Sequence, residues 1–114
     1  MNTIDAAKRA AEIASDKLAT DVVLLDTRQV CSFADYFVIC SGETERHLAA
    51  LREAIDEAFS KEDMPARRHE GTPASGWVLI DFGNVIVHLF APFERQYYGL
   101  DKLWGGAQLL VKMQ

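Results

Sequence analysis

Residues 77–82 and 85–90 form two apolar runs on either side of Gly83 and Asn84. That dipeptide tolerates positive φ, so the pattern predicts a β-hairpin closed by a two-residue primed turn. In that register Phe82 pairs with Val85, Asp81 with Ile86, and Trp77 with Phe90. Side chains alternate along a strand, which places Val78, Ile80, Phe82, Val85, Val87 and Leu89 on one wholly apolar core face. The other face carries Trp77, Leu79, Asp81, Ile86, His88 and Phe90. A strand buried on both faces should not hold Asp and His, and a solvated one should not hold Trp, Phe, Leu and Ile. This mixed face needs a cover that tolerates water, either another part of the chain or a partner.

Upstream, Ile4, Ala7, Ala11, Ala14 and Leu18 recur at three- and four-residue steps, with Thr3 placed as N-cap. They predict an amphipathic first helix whose alanine stripe packs closely, on a sheet or on a second copy of itself. Residues 21–26 and 36–40 are apolar runs without alternation, the pattern of central strands covered on both faces. Ser41 and Gly42 end the second run. Leu48, Leu51, Ile55, Ala58 and Phe59 then mark a helix reaching about Lys61 and stopped ahead of Pro65. Residues 66–71 read as a short charged edge strand. Ala91 and Pro92 permit a last helix from Phe93, where Arg95, Tyr97, Tyr98, Leu100, Leu103 and Trp104 crowd two or three turns before Gly105 and Gly106. The expected architecture is a single α/β (α+β) domain, one mixed sheet with flanking helices in the order α-β-β-α-β-β-β-α. The domain spans residues 1–104, and residues 105–114 form a tail without an assigned element.

Composition narrows the partners more than the fold. At 114 residues the chain supports one core, and 49% hydrophobic with 25% charged residues is ordinary for a globular domain. A net charge of −5 disfavours direct nucleic-acid binding as the main mode, since little counterion release follows, and suits a basic protein partner. Cys31 and Cys40 lack the paired spacing of a zinc site. Cys40, within an apolar run, reads as a small buried thiol. No signal peptide or membrane-length apolar run is visible, which points to a reduced, cytoplasmic setting.

Motifs for chemistry are weak. Neither the P-loop nor the dinucleotide fingerprint is present. Glu43 and Glu45 open a helix and oppose an anion there, and their divergent carboxylates are ill placed for a two-metal site. Asp81 and His88 share a hairpin face as diagonal neighbours, on the order of 7–8 Å apart. Asp–His pairs orient catalytic imidazoles, but no serine or cysteine joins them on that face, and a structural Asp–His hydrogen bond is the plainer reading. His47 and His69 read as solvated. The aromatics Trp77, Phe90, Tyr97, Tyr98 and Trp104 gather in or just after the hairpin, and these types are enriched at interface hot spots. Patterning alone does not decide between an external partner and burial beneath the last helix.

Four ordered segments resemble the ribosomal silencing factor, or Iojap-like, family. They are residues 35–42 with Arg46 and His47; Glu70 and Gly71 ahead of 77–81; residues 83–88; and Arg95 through Tyr98 to 100–104. The resemblance runs over about residues 21–104. It implies a nucleotidyltransferase-like fold lacking catalytic carboxylates, and a non-enzymatic protein without cofactor or metal. It further implies binding to the large ribosomal subunit through ribosomal protein fourteen, a steric block to small-subunit joining, translational repression under nutrient limitation, and in some members a homodimer. The implied partner-binding residues are Trp77, Leu79, Asp81, Phe82, His88, Arg95, Tyr98 and Trp104, with Glu94 and Asp101 at the rim. The chain departs from the family in having Gly83-Asn84 rather than Gly-Asp at the turn, and acids at 43 and 45. Two competing readings remain: a small enzyme using Asp81 and His88 on a nucleotide or ester, and a purely self-associating module.

Overall fold

The computed structural model describes residues 2–100 and 106–113. Its elements are α1 (Thr3–Asp16), β1 (Thr20–Asp26), β2 (Tyr36–Ser41), α2 (Glu45–Lys61), β3 (Arg68–Thr72), a 3-10 turn (Pro73–Ser75), β4 (Trp77–Asp81), β5 (Val85–Phe90), α3 (Pro92–Tyr98) and β6 (Gln108–Met113). The order matches the expected one and continues into a sixth strand. All six strands form one mixed sheet, β3-β4-β5-β2-β1-β6. The single parallel pair in that order is β2 with β5, and the other neighbours run antiparallel.

The helices sort by apolar periodicity. Buried Ala6, Ala7, Ala10, Ala11, Ile13 and Ala14 lay α1 on the sheet. The small-residue stripe is thereby committed to the chain's own core. Leu48, Leu51, Ile55 and Phe59 do the same for α2. Both helices cover the sheet face that holds Val22, Leu24, Val38, Cys40, Val78, Ile80, Val87 and Leu89.

The details at the ends of α1 differ from the sequence reading. Asn2, not Thr3, is the N-cap, its side chain accepting the Asp5 N–H at 2.9 Å. Leu18 does not continue the seam. It lies past the helix end at φ +67°, 79% exposed, while Ala19 N–H reaches back to the Ala14 carbonyl at 2.9 Å. This six-to-one closure needs a left-handed residue at Leu18, which swings its side chain outward. His47 also departs from expectation: half-buried, it bonds the Lys17 carbonyl through Nε2 at 2.7 Å and the Glu43 N–H through Nδ1 at 3.3 Å. It ties the end of α1 to the start of α2.

Segment 108–113, unassigned from sequence, pairs antiparallel with β1, Leu24 opposite Val111 and Leu25 opposite Leu109. Leu110 is skipped as a bulge, and Val111 and Met113 pack against the main core. Because β6 takes the edge, β1 becomes an interior strand, which explains its apolar run.

Candidate functional site

The hairpin forms in the expected register, Trp77 opposite Phe90 through Asp81 opposite Ile86, with Phe82 N–H on the Val85 carbonyl at 3.0 Å. Gly83 carries φ +96°, a positive value that glycine reaches without strain, and its N–H donates to Asp81 Oδ1 at 2.7 Å. Beyond it, β3 pairs with β4 so that Arg68 lies opposite Asp81 and Glu70 opposite Leu79.

The mixed face is partly covered by the chain itself. Ile86, His88 and Phe90 are buried beside Phe37, Ile39, Ala34 and Leu100. Trp77 and Leu79 stay half-exposed, and Tyr98 of α3 packs on Trp77 with ring centroids 4.6 Å apart and planes inclined at 46°. Ring contacts continue in both directions. On one side Trp77 meets His88 at 6.0 Å, His88 meets Phe37 at 4.9 Å, and Phe37 meets Phe33 at 6.2 Å. On the other, Tyr98 meets Tyr97 at 5.1 Å, and Tyr97 meets Phe93 at 5.8 Å. The outcome is an unbroken aromatic strip that surfaces at Phe33, 60% exposed, and Tyr97, 71% exposed, and runs beneath the surface at buried Phe37 and His88. A groove of about 340 Å³ beside it is lined by Phe33, Trp77, Leu79, Asp81, His88 and Leu100, among others.

Asp81 and His88 do not bond one another, contrary to the structural pairing expected from sequence. Asp81 is occupied by the Gly83 N–H and by Arg68 Nε at 3.2 Å. His88 Nδ1 instead accepts the Trp77 indole N–H at 3.2 Å. Indole only donates, so Nδ1 is the bare nitrogen and the proton sits on Nε2, buried without a hydrogen-bond partner among the described residues. Burial pushes the His88 imidazole down to about 4, away from the range useful for proton transfer at neutral pH. Burial pushes the Cys40 thiol up to about 12, which leaves that cysteine as the inert core residue expected. Among the described residues no group of three or more His, Cys, Asp and Glu converges as a metal site would require.

Of the expected site residues, Trp77, Leu79, Asp81, His88 and Tyr98 converge on this face. Phe82 does not: it is buried on the opposite side, its ring 4.3 Å from that of Phe59, as the hairpin alternation itself predicts. Arg95 lies on the same side of the sheet but over β2, donating from Nη1 to Ser41 Oγ at 3.2 Å, where Ser41 is opposite Phe90. Trp104 and Asp101 lie outside the described residues. Glu94 is half-buried, close against the Gly76 backbone. Phe33 also joins this face, its signal in the sequence being only a large apolar residue in a polar loop. Glu70, part of the family-like motif, is placed on this face by the β3 register.

The fold and this face together define a small mixed-sheet α/β protein with a preassembled aromatic surface on the side of the sheet away from α1 and α2. The chain belongs to the family described as "Ribosomal silencing factor during starvation", which matches residues 1–114, including the segment after Gly105. It is 38% identical over 109 residues to the ribosomal silencing factor RsfS of Bacillus subtilis, covering 96% of this chain and 92% of that one. It is 30% identical over 97 residues to the chloroplastic protein Iojap of Zea mays, covering 85% of this chain and 42% of that one. A crystal structure of a Chromobacterium violaceum protein superposes with a TM-score of 0.88 at 29% identity, covering all of this chain and 94% of the other.

Proposed function

We propose that this chain silences ribosomes by occlusion. It docks on the large ribosomal subunit through ribosomal protein fourteen and keeps the small subunit from joining, repressing translation when nutrients are scarce. Family membership supports the silencing role. The observation that carries the docking surface is the Trp77–Tyr98 contact, two half-exposed rings held together on a face the chain only partly covers. Aromatic anchors in a preorganised setting are what concentrate binding energy at protein interfaces. The net charge of −5 suits a basic partner by steering. Occlusion requires residence at the subunit interface and no bond-making, in keeping with an Asp81 and a His88 that are each engaged with other groups.

The test is sucrose-gradient co-sedimentation with isolated ribosomal subunits, followed by a joining assay. The chain should travel with the large subunit alone and lower the yield of joined ribosomes in proportion to its occupancy. Free chain at the top of every gradient, at concentrations well above those of the subunits, would remove the docking reading. His88→Ala with undiminished joining inhibition would separate occlusion from an enzymatic mechanism.

A further inference from the structure

Next to the Trp77–Tyr98 contact lies a second recess, between β3, β4 and α3. It has a volume of about 280 Å³ and is lined by Glu70, Gly71, Ser75, Trp77, Leu79 and Tyr98. That is below the roughly 300–1,000 Å³ usual for small-molecule sites and is scaled to one side chain. Its walls are two aromatic rings in contact, and its floor is Leu79. Glu70 stands directly opposite Leu79, so register puts its carboxylate on the same face as the rings. Gly71 carries φ +76°, and a Cβ there would collide with the Trp77 carbonyl oxygen, so glycine is what lets β3 run this close to Trp77.

The composition of this recess selects its occupant. An apolar side chain would fill the aromatic corner but strip water from Glu70 without replacing it. An anionic group would face a carboxylate and the electron-rich ring faces. A basic side chain satisfies both features, lying on the rings while its charge meets the carboxylate. Arginine fits better than lysine, since a planar guanidinium stacks on a ring and presents paired N–H groups to a carboxylate. Glu70 is free to turn toward it. Its ion pair with Arg68 is 3.5 Å long and exposed, and Arg68 has the nearer Asp81 at 3.2 Å. The Trp77 ring is already fixed by its bond to His88, so little order is lost on binding.

We propose that this recess seats one arginine side chain of the docked protein, with the guanidinium in the corner of Trp77 and Tyr98 and ion-paired with Glu70. The assignment deepens the docking reading above and rests on it for the identity of the protein that supplies the arginine.

Two probes test it. The first is an NMR titration of the intact chain with the blocked tripeptide Gly-Arg-Gly and with its citrulline counterpart, which keeps the shape and loses the charge. The Trp77 indole N–H signal, assigned through Trp77→Phe, should shift saturably with the arginine peptide. The citrulline peptide should bind at least about fivefold more weakly. The second is co-sedimentation of Glu70→Gln with large subunits. This exposed edge-strand substitution leaves the fold intact and should weaken both the peptide and the subunit about fivefold, with a shallower salt dependence. Equal binding of the two peptides, or wild-type binding of both probes by Glu70→Gln, overturns the arginine seat. Wild-type chain that distinguishes the peptides but ignores the subunits overturns the docking reading and leaves the seat standing. Wild-type chain that binds subunits with no effect of Glu70→Gln on either probe does the reverse.

Discussion

The indole N–H of Trp77 donates to Nδ1 of His88 over 3.2 Å, joining a half-exposed ring to a buried one. This bond fixes the orientation of the outward-facing tryptophan from inside the protein. It also ties that orientation to the protonation of the imidazole, because a charged His88 has no bare nitrogen left to accept it.

The first prediction concerns pH. The folded value of about 4 lies below the ordinary 6.5, so the unfolded chain takes up this proton more readily. The stability contributed by neutral His88 is complete above about pH 6.5 and is lost as pH falls toward 4, with no further loss from this group below that. Urea unfolding should show roughly 1–2 kcal/mol less stability at pH 5 than at pH 7 from this residue. His88→Phe should flatten that part of the profile; an unchanged slope would exclude His88 as its source.

Trp77→Phe tests the bond rather than the ring. Phenylalanine keeps an aromatic ring against Phe90 and Tyr98 but leaves Nδ1 without its donor. The expected cost is about 1–2 kcal/mol in unfolding free energy. A loss near zero would mean that water replaces the indole.

For docking, Trp77→Ala and Tyr98→Ala should each lose large-subunit co-sedimentation while keeping far-UV circular dichroism and a cooperative melt. Hot-spot truncations of this type cost about 2 kcal/mol or more in binding, some thirtyfold in affinity. Phe82→Leu should bind like the wild type, because Phe82 faces Phe59 in the core. Wild-type sedimentation of both alanine variants would move the docking surface off this face.

Leu18 offers a stabilising change. Its positive φ and outward side chain cost backbone strain without recovering burial. Leu18→Gly should raise stability by about 0.5–1 kcal/mol in urea unfolding, the relief of strain being partly offset by the freer unfolded chain. A neutral or negative result would show that Leu18 makes contacts worth as much as the strain.

Removing residues 106–114 should destabilise the fold by at least about 2 kcal/mol, since Val111 and Met113 pack on the core. It should also promote aggregation by opening the β1 edge. Size-exclusion chromatography and thermal melts of the truncated chain check both effects.

The hairpin, its register and its two faces were legible because a two-residue turn and a period of two leave almost no freedom. The partner of His88 was not. Asp81 and Trp77 are both diagonal neighbours of His88 on one face, and side-chain chemistry alone favours the acid. What decides it is the β3 register, which sets Arg68 opposite Asp81 and occupies the carboxylate. That pairing depends on the loop path after α2. Strand β6 escaped for a similar reason: the bulge at Leu110 breaks its alternation, and its partner β1 is distant in sequence. Leu18 looked like a seam residue because helical spacing does not show where a helix stops. The aromatic strip was half visible. Trp77, Tyr97 and Tyr98 stood out as a cluster, whereas Phe33 and Phe37 join them only when β2 pairs with β5.

That parallel pair has a kinetic consequence. Phe37 lies on β2, His88 on β5 and Tyr98 beyond it, so the strip exists only after a long chain loop has closed through helix α2 and the β3–β4 hairpin. Such closure is among the slow, entropically costly steps of folding. A nascent or partly unfolded chain therefore presents scattered aromatic residues, not a surface. Competence to bind should appear in a single phase, together with the last cooperative step of folding.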